Sequence, residues 1–304
     1  MRRSLSKRVD WAALARLRVA AQRVADGVWI GMHESRRRGA GLEFAGHRSY
    51  VPGDDLRWLD QRALLRHERL LIKQFETETE RPLRLVVDAT ASMGFRSENA
   101  PSSKLDFAAL MAAALTRVAV RSGDPVGVDF LGGGEGADSL PVSGGLEAFE
   151  RALVQLSLAE AAGHLGEQGA KLESTLSSIG RRATRGSLII VLSDLLEFGA
   201  AGPRLLGTLG TAGRQVIVAQ ILDPVEALFP LEGPVRLKAS EGPLEVETNA
   251  SLARAGYLEA LTALQLGFRE ALRAHGGDLV ICRTEDDPVR AVRAVLRAAE
   301  GRGA

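Results

Sequence analysis

The chain has 304 residues, 45% hydrophobic and 25% charged, with a formal net charge of +1. This is an ordinary globular composition, which excludes a disordered or fibrous chain. A single cysteine, Cys282, excludes an intrachain disulfide and a cysteine-based zinc cluster. No apolar run reaches the roughly 18 residues that suggest a membrane-spanning helix, so no membrane insertion is expected. The basic N-terminus (Arg2, Arg3, Lys7, Arg8) lacks the apolar stretch of a secretory signal, so a cytoplasmic location is expected.

Charge is unevenly spread: residues 1–82 carry a net +6 and the remainder a net −5. A basic front segment on an acidic body suits docking within the chain, an acidic protein partner or nucleic acid. Acids interleave with the bases, which favours docking or a protein partner.

In chain order, residues 9–25 read as a helix, with Val9, Ala12, Ala13, Leu17, Ala20 and Val24 forming a stripe that packs on the main body. Residues 33–62 are different, with glycines at 39, 41, 46 and 53 and a turn at Pro52-Gly53. Extended pieces are predicted around 42–44 and 48–51, a helix near 58–65, and a strand over 70–75 leading toward the core. Leu83-Arg84-Leu85-Val86-Val87 is apolar enough on both faces to be a buried parallel strand. Beyond it, strands are predicted at 126–131, 187–192, 215–222 and 278–283, with a short edge strand at 139–142. Helices are predicted at 104–120, 146–158, 172–182, 203–210, 251–275 (capped by Ser251) and 288–297. A hairpin falls at 235–239 and 244–247, turning at Glu241-Gly242-Pro243. This alternation predicts an α/β fold: a doubly wound, mostly parallel sheet with helices on both faces. The expected division is residues 1–82 packed on a core of 83–304, with a hairpin insertion near 235–247.

The first core strand ends in Asp88-Ala89-Thr90-Ala91-Ser92. One carboxylate and two hydroxyls after a parallel strand suit a hard divalent cation, Mg²⁺ or Mn²⁺, which prefers oxygen ligands. Asp194 follows another apolar strand at the same sheet edge and could join them. The competing reading is that both acids only cap turns. The D-x-T-x-S pattern resembles the metal-ion-dependent adhesion site of von Willebrand factor A domains. That resemblance implies a metal site of Asp88, Thr90, Ser92 and Asp194, completed by a loop threonine. The matching register puts Ala170 at the threonine's place, and a shifted one offers Thr175, which the pattern buries in a helix.

The segment R-R-x-G-x-G-x-E-F-x-G-x-R-x-Y-x-P-G-D-D-x-R-x-x-D, from Arg36 to Asp60, is similar to the signature of the bacterial DUF58 family. Leu71-Ile72-Lys73-Gln74-Phe75-Glu76-Thr77-Glu78 is similar to that family's approach to its von Willebrand A-like core. Gln61 departs from the tryptophan usual there. Within the segment, Arg36, Arg37, Arg48 and Arg57 lie close in sequence to Asp54, Asp55 and Asp60. Guanidinium and carboxylate pair in bidentate geometry, so these residues suit a structural clamp or a partner-binding surface. The resemblance implies a non-enzymatic interaction protein acting with a MoxR-type AAA+ ATPase on an unknown client.

Enzyme readings have less support. The chain has no G-x-x-x-x-G-K-[ST] loop, no G-x-S-x-G elbow and no H-E-x-x-H among its five histidines. A Mg²⁺-dependent phosphohydrolase built on Asp88 and Asp194 is one alternative, but the D-x-D that such chemistry uses is broken by Thr90. A nucleic-acid module using the basic front segment is the other, disfavoured because aromatic residues are sparse there.

Overall fold

A computed structural model describes residues 10–36, 44–50, 70–75, 81–134, 138–165, 170–238 and 245–301. The chain groups into two compact units. One is residues 29–80; the other joins residues 1–28 to residues 81–304.

The larger unit holds a six-stranded sheet in the order β10-β7-β6-β3-β4-β5. Its strands are β3 (Leu83–Ala89), β4 (Val126–Gly132), β5 (Leu140–Ser143), β6 (Leu188–Ser193), β7 (Gln215–Leu222) and β10 (Asp278–Arg283). All pairings are parallel except the antiparallel edge pair β4–β5. β3, β6 and β7 are buried along their whole length, which is why their sequences are mostly apolar on both faces instead of alternating, the buried Arg84 of β3 being paired with Asp129.

On one face pack α2 (Lys104–Ser122), α3 (Gly145–Leu158) and α8 (Pro288–Glu300); on the other pack α4 (Ala170–Arg182), α5 (Gly202–Leu209) and α7 (Ala250–Arg273). Ser103 caps α2, its Oγ accepting from the Asp106 amide at 3.1 Å, and Gly123 ends it in the left-handed region at φ 90°. α7 begins one residue earlier than predicted. Its cap is Asn249, whose Oδ1 accepts from the Ser251 amide at 3.0 Å, so Ser251 is not the cap. A short helix absent from the sequence reading, α6 (Pro224–Leu228), follows β7, and a hairpin of β8 (Pro234–Lys238) and β9 (Glu245–Asn249) follows it.

The N-terminal helix α1 runs Trp11–Arg36, eleven residues past its predicted end at 25. Within the larger unit its buried side is Leu14, Ala21, Val24, Ala25 and Val28, so the stripe is rotated from the predicted one, with which it shares only Val24. Arg18 pairs with Glu150 of α3, and Arg121 of α2 pairs with Asp26 at 3.0 Å.

In the smaller unit, β1 (Phe44–Ser49) pairs antiparallel with β2 (Leu71–Phe75) as a separate two-stranded sheet. The 70–75 strand was expected to lead into the core; its backbone hydrogen bonds go to β1 instead. The helix predicted near 58–65 lies outside the described residues.

Candidate functional site

β3 is the point at which the sheet order reverses. From β3 the chain moves outward to β4 and β5, then returns to β6 on the other side. At such a switch point the connections leave in opposite directions and open a crevice at the carboxyl ends of the strands. Asp88 sits at that end of β3 and Asp194 directly after β6.

Asp88 is fully buried. Its Oδ1 accepts the Thr90 amide at 3.0 Å and the Thr90 hydroxyl at 2.7 Å, and its Oδ2 accepts the Ser193 hydroxyl at 2.5 Å. Thr90 Oγ1 lies 3.2 Å from Ser92 Oγ. Asp88, Thr90 and Ser92 are therefore brought together as predicted, and Ser193 links them to β6.

Burial pushes the Asp88 carboxyl up to about 7, and the nearby charge of Asp194 adds to the rise; the hydrogen bonds from Ser193 and Thr90 oppose it. Among the described residues, no cationic side chain pairs with Asp88.

Asp194 is equally buried. Its Oδ1 accepts the Leu196 amide at 3.0 Å, and its Oδ2 accepts the ammonium of Lys104 at 2.8 Å. Both aspartates thus also serve their local turns, so the capping and site readings coexist. Between Asp194 and Leu196, the buried Leu195 holds φ 66°, an uncommon conformation for a branched side chain, fixed by its amide donating to Ser193 Oγ at 2.9 Å.

Lys104 is the residue the sequence reading missed. It opens α2 and is completely buried, donating to Asp194 and, at 2.6 Å, to Glu226 Oε1. Burial alone would lower its pKa, but the charges and hydrogen bonds of Asp194 and Glu226 raise it above the ordinary lysine value. Glu226 is raised by burial against the pull of Lys104. It is held by a capping box in which Glu226 Oε2 accepts the Asp223 amide at 2.9 Å and Asp223 Oδ1 accepts the Val225 amide at 2.9 Å. The legible signal was Asp223-Pro224-Val225-Glu226, a capping-box spacing directly after a strand.

Two backbone features shape the floor and roof. Gly132 ends β4 at φ 67°, and a Cβ there would stand 2.8 Å from Thr90 Cγ2, so only glycine fits beneath Thr90. Residues 159–165 cross the strand ends: the Ala162 amide donates to Ala89 O at 2.9 Å, the Gly133 amide to Ala162 O at 2.8 Å, and the Ala91 amide to Gly163 O at 2.9 Å.

A loop threonine is not delivered. Ala170 begins α4, and Thr175 is half-buried, not buried as the pattern suggested, with its hydroxyl donating to Lys171 O at 2.8 Å within the same helix. Among the described residues, no three His, Cys, Asp or Glu side chains converge as a metal-ligating group. A cation here would therefore draw on the hydroxyls of Thr90 and Ser92 beside the carboxylates. That donor set suits Mg²⁺ or Mn²⁺, because a buried carboxylate lacking a counter-charge is costly unless it meets a cation or a proton.

Of the proposed clamp residues, Arg36 is the last residue of α1 and Arg48 stands opposite Ile72 in the β1–β2 pair. Arg37, Asp54, Asp55, Arg57 and Asp60 lie outside the described residues.

Around this centre, the connections after three neighbouring strands each expose one large apolar side chain: Phe95 after β3, Leu196 after β6 and Leu228 after β7, at 38%, 45% and 52% exposure. No helix among the described residues is long and apolar enough to cross a membrane.

The family described as "Protein of unknown function DUF58" matches residues 46–265. The Mycobacterium tuberculosis (strain ATCC 25618 / H37Rv) protein named "Uncharacterized protein Rv1480" is 28% identical over 284 residues, covering 91% of this chain and 85% of its own. Among solved structures, BatB from Bacteroides thetaiotaomicron has a TM-score of 0.46 at 18% identity, covering 72% of this chain and 99% of that one. An aerotolerance-related membrane protein from Bacteroides fragilis has a TM-score of 0.47 at 18% identity, covering 73% and 99%. A von Willebrand factor type A protein from Catenulispora acidiphila has a TM-score of 0.38 at 12% identity, covering 75% and 43%.

Proposed function

The chain belongs to the DUF58 family, and from that premise we propose that it is a non-enzymatic protein-interaction module working in the cytoplasm with a MoxR-type AAA+ ATPase. In this reading Asp88, Thr90, Ser92 and Asp194 hold Mg²⁺ or Mn²⁺, and an acidic side chain of the partner completes the coordination. The observation that carries it is Asp88: a fully buried carboxylate at the sheet's switch point, bonded to the Thr90 hydroxyl, which lies 3.2 Å from that of Ser92, with no cation paired to it among the described residues. The apolar side chains of Phe95, Leu196 and Leu228 give a contacting protein surface to cover.

Two further groups, Cys282 and Tyr257, stay protonated at neutral pH. Burial and the charge of Asp286 push the Cys282 thiol up to about 12, so it stays protonated at neutral pH. Burial, with the charges of Glu226 and Asp194, pushes the Tyr257 phenol up to about 12 as well.

The test is retention of the MoxR-type ATPase on the immobilised chain, in each nucleotide state, with Mg²⁺ and with EDTA. The reading predicts retention in Mg²⁺ that EDTA removes. No retention in any nucleotide state contradicts it.

A further inference from the structure

We propose that Lys104 is a built-in counter-charge that weakens the site's pull on a cation and so limits how strongly it binds ions of higher charge. The inference rests on the metal reading above and deepens it.

Lys104 is an unusual choice for its place. It is the first residue of α2, where the helix dipole disfavours a cation. It is also wholly buried, and a buried ion pair adds little stability compared with apolar packing. The position therefore gains little from a lysine for the sake of folding alone. What the ammonium does is charge the interior: it reaches Asp194 Oδ2 at 2.8 Å and Glu226 Oε1 at 2.6 Å, with the Phe95 ring centroid 5.8 Å away.

The charges at this centre can be tallied. Asp88, Asp194 and Glu226 contribute three carboxylates, and Lys104 contributes one ammonium. Asp223, also fully buried, is joined to Glu226 by the capping box, and its two oxygens accept the amides of Val225 and Ser97. The ammonium cancels one of these negative charges. Asp194 accepts the Leu196 amide through Oδ1 and Lys104 through Oδ2, so the ammonium is fixed directly on one of the four residues of the site. Asp88, Thr90, Ser92 and Asp194 are the residues that would hold a cation there. A tethered ammonium in a low-dielectric site acts on any second cation far more strongly than a surface lysine would.

The role predicts effects of opposite sign from two residues that need not ligate the metal. Removing the ammonium makes the site more negative, so Lys104→Met should bind Mn²⁺ about tenfold more tightly and gain still more for Tb³⁺. Removing a carboxylate makes it less negative, so Glu226→Gln should bind Mn²⁺ several-fold more weakly. Lys104→Arg keeps the charge and should stay near the wild type. The experiment is Mn²⁺ binding to the full chain by electron paramagnetic resonance, with Tb³⁺ luminescence alongside, circular dichroism confirming each fold and Asp88→Asn marking the site. A site sensitive to Asp88→Asn, tightened by Lys104→Met and weakened by Glu226→Gln, supports the inference. A site sensitive to Asp88→Asn, but with the same affinity in all three proteins, overturns this inference alone. No such site in any of them overturns the metal reading and this inference with it. Should Lys104→Met fail to fold, Glu226→Gln decides: unchanged or tighter Mn²⁺ binding overturns the inference.

Discussion

The hydroxyl of Ser193 donates to Asp88 Oδ2 at 2.5 Å, joining the ends of β6 and β3 across 105 residues of sequence. This bond ties together the two strands that flank the sheet's switch point. It also leaves Asp88 stabilised by hydroxyl and amide dipoles alone, which favour its anion less than a full counter-charge would.

A pH dependence follows, and its sign is set by the raised pKa. Asp88 titrates near 7 in the folded chain and near its ordinary value of 3.8 when unfolded. Between those values the folded state binds the extra proton. Without metal, stability should be highest at the acidic end of this window and fall as pH rises toward 7, by as much as roughly 4 kcal/mol. Glu226 is shifted in the same direction and adds to the slope. Urea denaturation at pH 5 and pH 8 in EDTA measures this. Asp88→Asn should flatten most of the dependence, and an unchanged slope would show that Asp88 does not carry it.

Gly132 is predicted to be irreplaceable for Thr90. An alanine Cβ would stand 2.8 Å from Thr90 Cγ2, at a φ of 67° that side chains rarely adopt. Gly132→Ala should destabilise by about 1–3 kcal/mol, read from the denaturation midpoint, and weaken Mn²⁺ binding by displacing the hydroxyl. Wild-type stability and metal binding together would refute the close-approach argument.

A buried ion pair away from the site tests the core. Arg84 in β3 and Asp129 in β4 pair at 2.5 Å with almost no exposure, and Arg182 reaches Asp129 from α4 at 2.8 Å. Asp129→Ala strands the Arg84 guanidinium and should cost about 3–5 kcal/mol. Replacing both partners with apolar residues of similar volume should recover most of that loss. A double variant as unstable as the single one would show that the pair is worth more than its replacement.

Much of this architecture was legible in the sequence. β3, β6 and β7 are mostly apolar on both faces because both faces of the sheet are covered, and Asp88 and Asp194 stand at the ends of two of them. The fold class and the meeting of Asp88, Thr90 and Ser92 follow from that pattern. Lys104 was not legible, because a lysine at a helix start reads as a solvated residue until tertiary packing brings Asp194 and Glu226 to it. Residues 159–165 were equally hidden: they cover β3 through backbone hydrogen bonds, which leave no side-chain signal. Helix α1 outran its prediction because a glycine-rich stretch follows Arg36 and the helical pattern thins before it. The strand at 70–75 was found, but its partner was not, since pairing with β1 depends on register and not on local composition.

The measurement that bears most directly on the account is the affinity of the MoxR-type ATPase for this chain in Mg²⁺ and in EDTA, with Asp88→Ala in parallel. EDTA and Asp88→Ala should each weaken binding about a hundredfold, roughly 2.7 kcal/mol, and the two losses should not add. Equal affinity in Mg²⁺, in EDTA and in Asp88→Ala would contradict it.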